Sequence, residues 1–301
     1  MRFNQNSCDT CMEYCFADAI TVEGELCIDP DACSECMLCV SVCPSEALQI
    51  NMLDFYSIIA RLRKVQSPVL ACSVKPDLCA HVKIFCLGFL SEEHIIVLSA
   101  FLKKPLQLNL TKCKDCQNES IVNILKERFR IVSAKTSIKI HEKIKLVENR
   151  TDLNYKEVSL DRRSFFKALK KKSTQEVIEL FDKANPGEMD HAYSNKVLPV
   201  KRDLLNKALL ALPGEIKKKI VTKYFYDVKV DNGCNLCNAC VKICPTGALS
   251  SKKEIGELHF SSASCNGCRL CEDFCKRGSI QVVSGFEGED PSKKYLALKG
   301  S

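Results

Sequence analysis

Apolar residues fall at helical spacing in some stretches of this chain and in short extended runs in others. Leu53, Tyr56, Ile59, Ala60 and Leu62 share one helical face, so residues 51–66 predict a helix. The pattern changes at Ser67, where SPVLACSV reads as a short strand after Pro68. CLGFLSEEHIIVLSAFL reads as a strand end, a turn and an amphipathic helix. Ser91 is its N-cap, and Glu92 and Glu93 are acids in its first turn. LQLNL alternates and predicts a strand, ESIVNILKERF a helix, and RIVSA a further strand. Strands alternating with helices predict a small parallel α/β domain over 67–140.

Residues 141–228 hold no cysteine and are rich in Lys and Glu. SFFKALKKK, TQEVIELF, KRDLLNKALLAL and EIKKKIVTKYF have helical spacing, so this stretch reads as a helical connector. The tail, GFEGEDPSKKYLALKGS, is expected to be loose.

Composition changes the picture through one residue type. Of 301 residues, 21 are cysteine. The chain opens MRFNQNSCDTC with no apolar export segment, and no 18-residue apolar run is present. A reducing cytoplasm is the expected home, where cysteine clusters mean metal or redox chemistry and not disulfides. Hydrophobic content of 46% is ordinary.

Three stretches carry a complete four-cysteine phrase. They are Cys33-x2-Cys36-x2-Cys39-x3-Cys43-Pro44, Cys234-x2-Cys237-x2-Cys240-x3-Cys244-Pro245 and Cys265-x2-Cys268-x2-Cys271-x3-Cys275. This is the spacing of iron–sulfur cube ligands, in which a tight loop gives three thiolates and a partner motif the fourth. Zinc ribbons use separated pairs, so zinc fits less well. A related phrase follows each fourth cysteine: CFADAI at 15–20, CPSEAL at 43–48, CPTGAL at 244–249 and CKRGSI at 275–280. The small residue four places on lets backbone approach the cluster, and the aliphatic residue after it starts a strand. Repetition of this kind marks one unit used several times.

The formal charge of +7 invites a nucleic-acid reading. Three four-thiolate clusters, at about −2 each, contribute roughly −6. The loaded protein is then near neutral, and no nucleic-acid partner is expected.

These motifs resemble those of bacterial-type two-cluster ferredoxins over residues 5–50 and 231–284. The resemblance implies a β-α-β-β-α-β fold in each unit and crossed ligation. One [4Fe-4S] cluster then takes Cys234, Cys237, Cys240 and Cys275. A second takes Cys265, Cys268, Cys271 and Cys244, and a third takes Cys33, Cys36, Cys39 and Cys15. The remaining site departs from the pattern, because Gln5 stands where the first cysteine belongs. Cys8, Cys11 and Cys43 are left for it. The alternatives are a [3Fe-4S] cluster, a fourth ligand from elsewhere with Cys27 the nearest spare, or an empty site.

Cys72, Cys79, Cys86, Cys113 and Cys116 lie between the two units. Cys72 and Cys86 sit at or just after predicted strand ends, and Cys113 and Cys116 follow LQLNL. Such carboxyl ends converge on one edge of an open sheet, where four thiols can hold a [2Fe-2S] cluster. Cys72, Cys86, Cys113 and Cys116 are the expected set, with Cys79 an alternate. The bland reading makes Cys79 and Cys86 small buried hydrophobes. ACS at 71–73, VKIFCLGFLSEEHIIVLSAF at 82–101 and LTKCKDC at 110–116 are similar to the delta subunit of methyl-viologen-reducing hydrogenase. That resemblance implies a two-iron cluster and docking to a flavoprotein, in a hydrogenase- or heterodisulfide-reductase-like complex. TKCKDCQNES replaces that family's Gly-rich, His-containing stretch.

Asp161-Arg162-Arg163-Ser164-Phe165-Phe166-Lys167 has twin-arginine form but lies mid-chain, so it reads as a helix start capped by Asp161. Lys167, Lys170, Lys171 and Lys172 are then a solvated face. His81, His94, His141, His191 and His259 are scattered and read as surface or partly buried residues, His81 being a candidate cluster neighbour. No P-loop or G-x-G-x-x-G is present.

The expected architecture is α+β: two ferredoxin-like β-α-β-β-α-β cluster-binding units (1–50 and 229–284) flank a small α/β domain (67–140), with a helical connector (141–228). The expected function is one-electron transfer as a subunit or partner of a larger anaerobic oxidoreductase, because no substrate pocket is legible. The rival readings are a reductase using Cys113/Cys116 thiol chemistry and a zinc-stabilised scaffold.

Overall fold

The computed structural model describes residues 8–50, 53–157, 196–288 and 290–299. Gln5, His191, the helix start at Asp161 and the lysines at 167–172 lie outside the described residues. The described strands form four sheets.

The largest sheet is parallel, in the order β4-β3-β5-β6: β3 Val69–Cys72, β4 Val82–Ile84, β5 Leu106–Asn109 and β6 Ile144–Val147. Strands β3 and β5 are buried on both faces, as in parallel sheets covered on each side. The alternation in LQLNL therefore does not mark an exposed face. Gln107 is buried and donates to the Ser67 hydroxyl and Asn154 carbonyl, and Asn109 donates to the Cys79 carbonyl. The chain leaves β3 towards β4 on one side and resumes at β5 on the other. The carboxyl ends of β3 and β5 thus flank a switch point.

The helix Glu92–Phe101 starts at Ser91, whose hydroxyl accepts from the His94 N–H while the His94 ring accepts from the Ser91 N–H. It is not amphipathic: Ile95, Ile96, Val97 and Leu98 are all fully buried. The sheet lies on one side, and the helix Val200–Ala211 supplies Leu204, Leu205, Ala208 and Leu209 on another. The connector helices Val200–Ala211 and Gly214–Tyr224 therefore belong to the core.

The N-terminal unit has a β1–β2 hairpin, Ile20–Glu23 with Glu25–Ile28, between the short helices Thr10–Glu13 and Leu38–Val42. The C-terminal unit runs β7 Tyr226–Val230, helix Ala239–Ile243, β8 Leu249–Lys252, β9 Glu257–Phe260, helix Leu270–Asp273 and β10 Ile280–Ser284. Strands β7 and β10 pair antiparallel, as do β8 and β9.

Three local expectations fail. RIVSA is no strand: one helix runs Ile121–Thr136, with Ile121, Leu125, Arg128, Val132 and Thr136 buried at helical spacing and no breaker between them. The fourth sheet strand comes instead from Ile144–Val147, beyond the expected boundary at 140. The tail is not loose either. Tyr295–Lys299 forms β11 against β9, with the Tyr295 ring packed on Phe260 and Phe286.

Side-chain hydrogen bonds tie these parts together. The Glu46 carboxylate accepts from the N–H groups of Val200 and Lys201, each at 2.6 Å, and so caps a distant helix. Arg128 donates to the carbonyls of Gly88 and Leu90 and to the Ser41 hydroxyl. Asn118 donates to the Ser34 carbonyl at 2.8 Å.

At Gly88 the N-terminal unit packs tightly on the sheet domain, since a Cβ there would lie 2.2 Å from the Cys36 carbonyl oxygen. Gly88→Ala is expected to destabilise the fold by about 2 kcal/mol through overpacking, read as a lower urea midpoint with an unchanged slope. His94 gives a pH signature. Burial first, then the nearby Lys201 charge, holds its pKa down to about 3, below the ordinary 6.5. The unfolded chain therefore takes up a proton that the folded chain refuses. Stability is full above about pH 6.5 and falls on acidification by up to about 1.4 kcal/mol per pH unit. His94→Gln is expected to flatten that slope in urea unfolding followed from pH 7 to about 5.

Candidate metal centres

The three-cysteine loops share one backbone path. In the first, Glu35 and Met37 have φ of 53° and 65°. In the second, Leu236 and Asn238 have 55° and 63°, and in the third Gly267 and Arg269 have 73° and 57°. Each loop thus turns left-handed on both sides of its middle cysteine. Five of these six residues are not glycine, which costs about 1 kcal/mol or more apiece. Alternating right- and left-handed residues aim successive N–H groups into one concavity, the nest that receives anions and iron–sulfur groups. Gly267 answers a further constraint, because a Cβ there would meet the Tyr226 ring at 2.3 Å.

The fourth cysteines also share a turn. The residue three places on is left-handed in all four: Asp18, Glu46, Gly247 and Gly278 at φ 48°, 50°, 71° and 62°. The small residue one further on brings its backbone to sulfur, as expected. The Ala19 N–H donates to Cys15 Sγ at 3.3 Å. The aliphatic residues Ile20, Leu249 and Ile280 are buried and begin strands. A hydroxyl two residues after the cysteine recurs as well: Ser45 lies 3.6 Å from Cys43 Sγ, and Thr246 lies 3.5 Å from Cys244 Sγ. The sequence carries this feature as Cys-Pro-Ser at 43–45 and Cys-Pro-Thr at 244–246.

In the C-terminal unit the cysteines gather in two sets. Cys234, Cys237, Cys240 and Cys275 line one cavity of about 240 Å³, walled by Leu236, Leu258, Phe274 and Ile280. Cys244, Cys265, Cys268 and Cys271 line another of about 20 Å³, with Phe260 and Val282. Each set joins three cysteines of one motif to the last of the other. Burial first, then neighbouring thiols, pushes Cys240 and Cys268 up to about 11 and Cys265 to about 12, with Cys271 raised further.

In the N-terminal unit, Cys39 is raised to about 11 by burial and by Cys36, Cys33 and Cys11. Cys11 is raised by burial, then by Cys43 and Cys8, so Cys8, Cys11 and Cys43 stand together. Burial also opposes ionisation of Cys43. The N–H groups of Leu48, Ala47 and Ser45 and the Ser45 hydroxyl overcome it and hold that thiol below its ordinary range. Cys15 is half-buried at its own turn. Cys27 is exposed on β2, opposite Thr21 in the hairpin. The stretch from Cys8 to Tyr14 lacks the left-handed pair and turns into the helix Thr10–Glu13 instead.

In the parallel sheet, Cys72 ends β3, Cys86 follows β4, and Cys113 and Cys116 follow β5. Burial first, then the charges of Cys72, Cys86 and Cys116, pushes Cys113 up to about 12. Cys86 rises to about 11 through burial and through Cys72, Cys36 and Cys116. Cys79 is half-buried, and its carbonyl accepts from Asn109. His81 is no cluster neighbour: its ring accepts from the Val69 N–H at 3.1 Å and packs on Tyr155. His94 is not a surface residue but lies buried against Phe55 and Phe89.

Among the described residues, no three His, Cys, Asp or Glu side chains close on a single metal ion. A mononuclear zinc site needs sulfur atoms within about 4 Å of one another, given Zn–S bonds of about 2.3 Å.

Sequence comparison agrees with the two ends of the chain. Residues 233–279 match a family described as a 4Fe-4S dicluster domain, and residues 26–49 match a 4Fe-4S binding domain. A similar curated protein is the epoxyqueuosine reductase of Francisella cf. novicida (strain Fx1), 26% identical over 156 residues, or 46% of this chain and 41% of that one. The chain thus spans less than half the length of this relative. No solved structure matches. No helix among the described residues is long and apolar enough to cross a membrane. The chain carries 4Fe-4S ferredoxin-type domains at both ends.

Proposed function

We propose that this chain passes single electrons along a series of iron–sulfur sites to a redox protein partner. The observation that carries the reading is the adjacency of the cysteine sets across domain boundaries. Cys36 of the N-terminal unit is close enough to Cys86 of the sheet domain to raise its pKa, and Gly88 packs on the Cys36 backbone. Cys8 acts in the same way on Cys268 of the C-terminal unit. The order of sites is then Cys234/Cys237/Cys240/Cys275, Cys244/Cys265/Cys268/Cys271, Cys8/Cys11/Cys43, Cys15/Cys33/Cys36/Cys39 and Cys72/Cys86/Cys113/Cys116.

The clusters supply reversible one-electron chemistry when bound. The chain sets how readily each site takes its electron. The hydroxyls of Ser45 and Thr246 and the N–H of Ala19 donate towards sulfur, and the Arg202 charge faces Cys265. All favour the more negative, reduced form. Cys8, Cys11 and Cys43 form a three-thiolate site, with Cys27 on the β1–β2 hairpin outside it. The sheet-domain set suits a [2Fe-2S] group. Cys237 is exposed at one end of the series, where a flavoprotein or hydrogenase-like partner can dock.

A reductase is the second reading. A cavity of about 700 Å³, which the sequence did not disclose, and the relative named epoxyqueuosine reductase favour it. Thiol exchange at Cys113 is disfavoured, since a thiol near pKa 12 offers little thiolate at neutral pH.

Crossed ligation has a direct test in Cys275→Ser, loaded anaerobically, alkylated and mapped by mass spectrometry. Iron should fall by one cluster, and label should appear on Cys234, Cys237 and Cys240 while Cys265, Cys268 and Cys271 stay protected. Label on the latter three instead contradicts the assignment. In the unmutated loaded protein, Cys27 and Cys79 are expected to react while the ligand cysteines do not. A protected Cys27 would make it the fourth ligand of the Cys8 site.

A further inference from the structure

The cavity of about 700 Å³ lies where the N-terminal unit, the helices Glu92–Phe101 and Ile121–Thr136, the connector helices and the C-terminal unit meet. Its size is that of a small-molecule site. Three cations in its lining are almost wholly buried: Arg128 and Lys201 at 7% exposure and Arg202 at 5%. Buried charges are normally paired with opposite charges. These are hydrogen-bonded to neutral oxygens instead. Arg128 binds two carbonyls and a hydroxyl, Lys201 the carbonyls of Ser41 and Cys43, and Arg202 the Tyr224 carbonyl.

The acids of the lining do not balance them. Glu92 is engaged by Lys135 at 3.0 Å and by the Tyr224 hydroxyl at 2.7 Å. Glu127 is held bidentate by the exposed Arg130 outside. Glu93 is left to face all three buried cations, with Glu92 also acting on Arg128. Lys223 adds an exposed cation at the rim.

Two unused donors point the same way. Arg202 has five N–H groups and makes a single hydrogen bond among the described residues. Asn266 is 6% exposed, and its Nδ2 is buried without a partner among them, while its Oδ1 accepts from the Cys268 N–H. Ile124, Ile131, Val42 and Pro44 supply apolar wall, and Tyr14 and Tyr226 supply rings.

We propose that this cavity binds a small organic oxyanion, a carboxylate or phosphate ester with an apolar or aromatic body. Its charged group sits on Arg202, and Lys223 draws it in. A guanidinium with free parallel donors suits either oxyanion. The site lies between Cys43 and Cys265, whose neighbours Pro44 and Asn266 line it, so an occupant stands beside two candidate cluster sites. The proposal does not depend on the cluster assignment, because its test reads binding alone.

The test is calorimetric titration of the full, iron-loaded chain with citrate and, separately, with adenosine 5′-monophosphate, at constant ionic strength. The expected result is saturable binding of one molecule per chain by at least one probe, separating the carboxylate arm from the phosphate arm. Arg202→Met should weaken it at least tenfold. Lys223→Glu, at the exposed rim, should also weaken it and keeps the test decisive should Arg202→Met misfold. Saturable binding of neither probe at millimolar concentration overturns the proposal, and so does binding that both variants leave unchanged. A shift in reduction potential in Arg202→Met without any anion binding would mean that these cations serve only to offset cluster charge, and that also overturns it.

Discussion

Much of this molecule follows from the demand that four thiolates meet at one centre. A chain meets that demand locally only by reversing its turn on both sides of a cysteine. Three loops here do so with left-handed residues at matching places, and five of those six residues are not glycine. That backbone is costly unless something repays it. N–H groups converging with thiolates on one concavity are the compensation a cluster provides. The stretch from Cys8 lacks both the first cysteine and the left-handed pair, and it relaxes into a helical turn. Its partner turn at Cys43 is kept, with three N–H groups and a hydroxyl holding the thiol below its ordinary pKa.

The rest of the chain places these loops against one another. Helix Glu92–Phe101 is buried almost all round, and the connector helix Val200–Ala211 covers it. The connector is capped by Glu46, and its Lys201 reaches the Cys43 carbonyl. One helix therefore fixes the N-terminal loops, the sheet and, through Asn206 on the Ala263 carbonyl, the loop before Cys265. Among the described residues, one hydrophobic cluster joins the sheet domain, the connector helices and Leu38 of the N-terminal unit, while the C-terminal unit packs a core of its own around Cys244 and Cys265.

What the sequence disclosed was local. Cysteine spacing identified the loops, Ser91 identified a helix start, and the phrase after each fourth cysteine identified a repeated turn. What it concealed depended on contacts distant in the chain. RIVSA has strand-forming residues, but its register continues the buried face of a helix begun at Ile121. Tyr295–Lys299 became a strand because Phe260 and Phe286 offered its tyrosine a place. The connector read only as helices, yet its Lys201 and Arg202 are buried at a cavity that no single segment encodes. Cys72, Cys86, Cys113 and Cys116, the set expected from the sequence, all follow strand ends of the parallel sheet.

Electron paramagnetic resonance of the fully reduced, iron-loaded chain distinguishes one electron-conducting series of cysteine sites from isolated centres. Neighbouring reduced clusters should broaden and split one another's signals, and Cys36→Ser should simplify the spectrum on both sides of the boundary between the N-terminal unit and the sheet domain. A spectrum that is the plain sum of isolated centres, unchanged in its remaining signals when one is removed, would contradict the account.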